Sequence, residues 1–434
     1  MNKQIIKRII LEKQAEIPQY KLINRHISLD HNANYVLVGL RRAGKSYTLY
    51  QDIQNKIQSG QCVAEDILYV NFEDERISGI LASELGLILD SFKELYPNKT
   101  PIIYIDEIQN ITGWEKFARR LADSGYQTRI TGSNAKMLSG EIATTLGGRY
   151  IPKDIFPFNF REYLAWHEIS LPDNWEYKSD ICSKVAHMFD EYFNIGGISE
   201  TYNKADKREF LNAMYQKILM GDIVERNKIR NSRVFRLLAR KLADSVMQPM
   251  SLTRIHHIIK SSGDNISIPI LKDYLEYMHQ SYLTIEIPNL ISPITDQETV
   301  KKRYFSDNGL LNLFIMDGEA KLLENLVAIN LGRLYHNTDE ENRLYYYNRN
   351  IEIDFCVPEV SLAIQVSYNI DASDTLIRET ESLRKFLNLF PQYNGIIITR
   401  DHEEEITLDE KTIQIVPIWK WLLREKNGKH PAAI

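Results

Sequence analysis

Residues 39–46 read GLRRAGKS and follow directly on the apolar run Tyr35–Val38. An apolar run that breaks into glycine, meets a second glycine and then Lys-Ser has one compact solution. A buried strand ends in a loop whose backbone N–H groups turn inward, and a helix starts at Lys45. The apolar spacing from Lys45 to Ile57 supplies that helix. Such a loop wraps a phosphate chain, the helix N-terminus adds partial positive charge, Lys45 reaches the outer phosphates, and Ser46 offers a hydroxyl to Mg²⁺. The expected nucleotide contacts are therefore Gly39, Leu40, Arg41, Arg42, Ala43, Gly44, Lys45, Ser46 and Tyr47, with ATP as ligand and Mg as its metal.

Downstream, PIIYIDEIQN (residues 101–110) reads as a buried strand ending in two carboxylates, which a metal-bound triphosphate requires from a second strand. Asp106 is expected to hold the metal through water, and Glu107 to take a proton from the attacking water. ILYVNFEDER (67–76) is a further strand with an acidic end. YQTRITGSN (126–134) is another, and it places Ser133 or Asn134 where a γ-phosphate can be sensed. A short strand, RYIPKDI, starts at Arg149. Strands separated by helices predict an α/β domain with a parallel sheet and a ligand at the carboxyl ends of its strands.

These stretches, GLRRAGKS, IIYIDEIQ, ITGSN and LGGRY followed by PFNFREYL, resemble the AAA+-type ATPases of bacteria and archaea that carry an attached C-terminal domain of unknown function. The resemblance covers nearly the whole chain. It implies the strand order 5-1-4-3-2, a sensor at Ser133 or Asn134, and Arg149 near the place of an arginine finger.

The 434 residues exceed one ordinary core, so roughly two to four domains are expected. The boundaries drawn are 1–155 for the ATPase domain with an N-terminal helix, 156–225 for a helical lid, and 226–306 and 307–434 for two C-terminal domains. The net charge of −5 makes no general case for a polyanion partner, yet residues 226–260 hold nine Lys or Arg against the single acid Asp244. Cys62, Cys182 and Cys356 show no metal or disulfide spacing and read as plain thiols. The N-terminus lacks the apolar core of a signal peptide, and no long apolar run follows, so a cytoplasmic protein without a membrane partner is expected.

Within 156–225 the apolar spacing is helical, and Gly196-Gly197 followed by Ile198, Ser199 and Glu200 reads as a helix C-terminus with a left-handed residue. Helices at 232–248, 252–261 and 268–282, then strands LTIEIP and KKRYFS, read as a winged helix, the usual DNA-reading module. Its third helix carries Lys272 against Asp273 and Glu276. The positive charge lies ahead of it and on the wing, at Lys301, Lys302 and Arg303. His256 and His257 have no ligand spacing and read as surface or satisfied residues.

Beyond residue 320, a helix bearing Glu324 and two apolar strand segments, RLYYYNRNIEIDFCVP and VSLAIQVSYNI, resemble a restriction-endonuclease fold. There, a helix Glu, a strand Asp and an E-x-K on the next strand bind Mg²⁺ and activate water. Glu324 and Asp354 fit, but the third element reads Gln365-Val366-Ser367, so an inactive nuclease core kept for binding or as a scaffold is expected.

The reading as a whole is a Mg²⁺-dependent ATPase whose nucleotide state repositions the C-terminal domains. Two alternatives stand beside it: a nucleotide-gated binding switch with negligible turnover, and an active nuclease. Nucleic acid and a protein partner both remain open for the winged helix, and so does the oligomeric state.

Overall fold

A computed structural model describes residues 2–133, 144–316, 318–335, 337, 341–369, 373–408 and 411–424. The chain divides into two compact units, Met1–Phe156 and Pro157–Ile434.

In the first unit, β1 (Asn34–Val38), β2 (Ile67–Asn71), β3 (Ile102–Asp106), β4 (Thr128–Gly132) and β5 (Tyr150–Asp154) form one sheet in the order β2-β3-β4-β1-β5. Every pairing is parallel. This is the order that the family resemblance implies, read from the other edge. The inner strands are buried almost throughout, which is why they read as continuous Ile, Leu, Val and Tyr runs rather than alternating ones. Helix α1 (Lys3–Glu16) buries Ile6, Ile9 and Ile10, an i, i+3, i+4 stripe, and packs against β2 and α3 (Gly86–Leu95). Helix α2 (Lys45–Gln58) follows the glycine loop, and α4 (Glu115–Asp123) precedes β4.

The second unit begins with helices Phe160–Trp166, Ser179–Ile195 and Lys207–Gln216, the last running on into wider π-type turns over Lys217–Glu225. Three helices follow, Ser232–Asp244, Leu252–Ser261 and Ile268–Gln280. Next comes the antiparallel hairpin of β7 (Thr284–Pro288) and β8 (Val300–Phe305). A two-residue strand, β6 (Met250–Ser251), adds to the outer side of β8 and has no periodic signal of its own. After helix Glu319–Leu334 comes a six-stranded mixed sheet. It holds β9 (Tyr345–Asn348), β10 (Glu352–Val357), β11 (Leu362–Ser367), β12 (Asn394–Thr399), β13 (Glu404–Leu408) and β14 (Lys411–Pro417) in the order β13-β14-β12-β11-β10-β9. Helix Ser373–Leu389 buries Leu383, Phe386 and Leu387 on this sheet beside Cys356 and Ile397. Among the described residues no helix is long and apolar enough to cross a membrane. Cys62, Cys182 and Cys356 are free thiols.

The Gly196-Gly197 pair ends helix Ser179–Ile195, with Gly196 at φ +73° as its sequence suggested. The second glycine is explained by packing: a methyl there would overlap the backbone of Phe158. The Gly197 N–H donates to the fully buried Asp307 carboxylate at 2.7 Å, which also accepts from Leu310 N–H at 3.2 Å. Gly197→Ala is expected to cost about 3 kcal/mol of stability, because no side chain can yield to relieve a clash with backbone. Gly221→Ala meets only the Lys217 side chain and is expected to change stability by less than about 1 kcal/mol. Urea midpoints of the two full-length variants check the contrast; equal midpoints would refute it.

Candidate functional site

The loop between β1 and α2 is shaped by its two glycines. Gly39 has φ +151°, and a side chain there would run into the backbone of Ile155 at the end of β5. Gly44, at φ +92°, lets the chain turn into α2 in a left-handed conformation that most residues resist. Arg42 takes the same kind of turn at φ +63° on the exposed side of the loop. Arg41 reaches Glu73 at 3.2 Å. Leu40 and Ala43 are buried beneath the loop, and Tyr47 is exposed just past it.

Lys45 is almost fully buried and bends back over the loop, donating to the carbonyls of Gly39 at 3.1 Å and Leu40 at 3.0 Å. Arg25, from the segment ahead of β1, braces the loop from beneath, donating to Ala43 O at 2.8 Å and Phe156 O at 2.6 Å.

Because the strands are parallel and in register, the ends of β1, β3 and β4 share one edge. Val38 pairs with Gly132, and Ile105 with Ile130. That edge therefore brings together Lys45, Ser46, Asp106, Glu107 and Ser133. Asp106 is fully buried. It accepts from the Tyr69 hydroxyl at 2.7 Å, from the Thr131 hydroxyl and from the Ser46 hydroxyl. Burial raises its pKa, the neighbouring Glu107 adds to the rise, and the three hydroxyls pull the other way.

Glu107 stands at φ +54°, a conformation that turns the chain sharply off the strand, and its N–H donates to Thr131 Oγ1 at 2.9 Å. Its carboxylate accepts from the Gln109 amide, which also lies 3.3 Å from Ser133 Oγ. Asn134, the alternative sensor, lies outside the described residues. Tyr69, Thr131, Gln109 and Arg25 are supports that the sequence reading missed. A Tyr in the second strand and a Thr one residue before Gly132 were the signals available, and neither stands out from an ordinary strand.

Arg149 lies elsewhere. It immediately precedes Tyr150, which pairs with Asn34, so it sits at the amino-terminal edge of the sheet and not at the loop's edge. There it pairs with Asp123 at the end of α4 and donates to Gly147 O at 3.1 Å.

In the second unit, Glu324 and Asp354 do come together, but around a residue that the sequence reading placed on an exposed wing. Lys302 of β8 is fully buried, 3.1 Å from Asp354, 3.1 Å from Glu352 and 3.5 Å from Glu324. The Tyr304 hydroxyl donates to Glu324 at 2.6 Å. Burial would lower the Lys302 pKa, but the three carboxylates outweigh it and raise it. Burial and Asp354 push Glu324 upward. Gln365 accepts from Asp354 N–H at 2.9 Å and donates to Glu379 at 2.7 Å, while the Ser367 hydroxyl turns to Asn369 O at 3.4 Å.

The other two cations expected on the wing are engaged internally too. Arg303 is buried on Glu286 at 2.8 Å, and Lys301 pairs with the same carboxylate at 2.7 Å. The signal was present in the strand period: Lys302 and Tyr304 share one face, and Lys301 and Arg303 the other.

Residues 31–164 match the family model described as an AAA domain, and residues 186–321 match a domain of unknown function (DUF8612). An uncharacterized protein of Methanocaldococcus jannaschii, MJ1544, is 34% identical over 435 residues, covering 97% of this chain and 96% of that protein. An uncharacterized protein of Haemophilus influenzae is 29% identical over 404 residues, covering 90% and 94%. Among solved structures, the Walker-type ATPase PABY2304 of Pyrococcus abyssi aligns over 72% of this chain and 95% of its own at 14% identity, with a TM-score of 0.41. On the full-length identity with the Methanocaldococcus protein and the two domain matches, the chain belongs to the family of AAA-domain P-loop ATPases that carry DUF8612 in their C-terminal part.

Proposed function

We propose that this protein hydrolyses ATP with Mg²⁺ and uses the cycle to reposition its C-terminal domains, a winged helix at 226–306 and a nuclease-like domain at 307–434. The observation that carries the reading is the convergence of Lys45, Ser46, Asp106 and Glu107 at one sheet edge beside a glycine-shaped loop. The loop's backbone N–H groups and the start of α2 suit a phosphate chain. Lys45 exchanges its two loop carbonyls for phosphate oxygens, a stronger, charge-assisted bond. Ser46 and Asp106, already hydrogen-bonded to each other, would hold Mg²⁺, which supplies neutralisation of the phosphate charge when bound. Glu107 receives the proton of the water that attacks the γ-phosphorus, with Gln109 and Ser133 orienting it.

Lys45→Ala is expected to lose ATP binding. Glu107→Gln is expected to keep binding but lower turnover about 100-fold or more, since it removes only the base. Isothermal titration and phosphate release separate the two, and unchanged nucleotide affinity in Lys45→Ala would refute the assignment.

Arg149 stands beyond the far end of β5 from the loop, about 20 Å away by the usual rise per residue. It therefore serves a nucleotide on a second copy and not its own. Arg149→Ala is expected to lower turnover without lowering affinity, and wild-type specific activity to rise with protein concentration. Concentration-independent activity in a strict monomer argues against that role.

For a partner, the exposed cations favour nucleic acid. With the wing's charges paired internally, the basic surface is the loop and first helix of the winged-helix region. Arg226, Lys228, Arg230, Arg233, Arg236 and Arg240 are exposed there. Arg233, Arg236 and Arg240 follow helical spacing along one face and border a cleft of about 820 Å³, in which Arg233 lies 3.6 Å from Asp264. Asp206 and Glu209 also line this cleft and soften its potential. Replacing both Arg236 and Arg240 with alanine is expected to weaken duplex DNA binding and reduce the slope of log affinity against log salt by about 2. Lys301→Ala, already spent on Glu286, is expected to leave that slope unchanged. Fluorescence anisotropy across a salt series reads both; absent or salt-independent binding points to a protein partner instead.

A further inference from the structure

A nuclease-like frame implies a divalent metal at Glu324 and Asp354, and the residues present do not fit one. Three elements far apart in sequence meet there: β8 contributes Lys302 and Tyr304, the helix Glu319–Leu334 contributes Glu324, and β10 contributes Glu352 and Asp354. The Lys302 side chain is 0% exposed and that of Glu324 1%, while Glu352 at the rim of the cluster is 47% exposed, so the ammonium itself is out of water and only its outer partner meets solvent. Its carboxylate distances of 3.1 Å, 3.1 Å and 3.5 Å suit ammonium–carboxylate pairing. The ammonium itself stands where a cation between these carboxylates would have to sit. Among the described residues, no three acidic, thiol or imidazole side chains stand close enough to hold a metal ion.

Most of the remaining valences are also taken, with Glu324 Oε2 the exception, buried without a hydrogen-bond partner. Asp354 accepts the Val366 N–H at 3.0 Å through its other oxygen. Gln365, in the place of the missing acid, is turned to the Asp354 backbone and Glu379. The Tyr346 ring closes one further side, 5.6 Å from the ammonium.

We infer that the Lys302 ammonium permanently holds the position of the divalent cation, so that the former metal frame serves as a metal-independent ionic lock fastening β8 to the sheet and helix of the C-terminal domain. This rests on the nuclease-like reading of residues 307–434 and is independent of the ATPase site. A buried lysine among carboxylates tolerates loss of either side poorly, because the survivor keeps its desolvation cost without its partner. Loss of both sides together is tolerated far better. That asymmetry distinguishes a charge lock from ordinary packing.

The test uses the full-length chain. Lys302→Met is expected to lower the melting temperature by roughly 10 °C. The double variant Glu324→Gln/Asp354→Asn, which leaves the lysine only the half-exposed Glu352, is expected to fall similarly. Combining all three substitutions is expected to recover most of the loss, and if Lys302→Met alone does not fold, recovery in the triple variant still decides the matter. Wild-type melting is expected to be indifferent to EDTA, Mg²⁺ and Mn²⁺ in the absence of nucleotide, and the protein to leave DNA intact with either ion. A triple variant no more stable than Lys302→Met overturns the lock. So does Mn²⁺ binding to wild type that Asp354→Asn abolishes. DNA cleavage that needs Lys302 would overturn both the lock and the scaffold role while leaving the nuclease-like frame standing, and ATP hydrolysis is read separately.

Discussion

Asp106 is a carboxylate taken wholly out of water, and the nucleotide edge of the first unit is arranged around keeping it there. Its hydroxyl partners come from three different places: Tyr69 on β2, Thr131 on β4 and Ser46 at the start of α2. Each flanks β3 or caps the loop, so satisfying one side chain sets the relative positions of two neighbouring strands and a helix. Burying an acid is tolerable only when its acceptor capacity is filled. Neutral hydroxyls fill it without cancelling its charge, and Glu107 next to it makes the deficit larger. A divalent cation at this point would relieve both costs at once, which is what the proposed role of Asp106 toward a metal-bound nucleotide draws on.

The same logic sets Glu107. A residue forced to positive φ directly after a strand is strained unless something holds it, and a non-glycine residue there is informative. The Thr131 hydroxyl does the holding from the Glu107 N–H, while also donating to Asp106. One threonine thus couples the acid that suits a metal to the acid that suits a base.

How much of this can be read from the chain depends on the range of the interaction. The glycine loop, the buried strands and the acid pair at 106–107 are local patterns, and their spacing alone places them at a strand end. The sheet order came from resemblance, and the register agrees with it. Tyr69, Thr131 and Gln109 escaped because their importance lies in what they touch across the sheet, and no periodicity records that. The C-terminal sheet was half legible for a related reason. The parallel pairing of β11 with β12 across the helix Ser373–Leu389, and of β12 with β14 beyond β13, depends on partners that are not adjacent in the chain. The basic triplet 301–303 misled for the opposite reason: local charge was visible, but the acids that consume it sit at 286, 324, 352 and 354.

That triplet also shows why two clusters of acids in one chain have different fates. β8 alternates, so Lys301 and Arg303 fall on the Glu286 side and Lys302 on the other. Burial alone would raise the Glu286 pKa, yet Arg303 and Lys301 hold it well below the usual carboxylate range, and the pair of cations is thereby lost to any phosphate. On the opposite face, Lys302 fixes a permanent positive charge among Glu324, Glu352 and Asp354. At Asp106 the nearest donors are hydroxyls, which orient a carboxylate but leave its charge available. The acids are chemically alike in both places. A cluster surrounded by neutral donors remains a place for a mobile cation, whereas one with a lysine built into its centre has become part of the core.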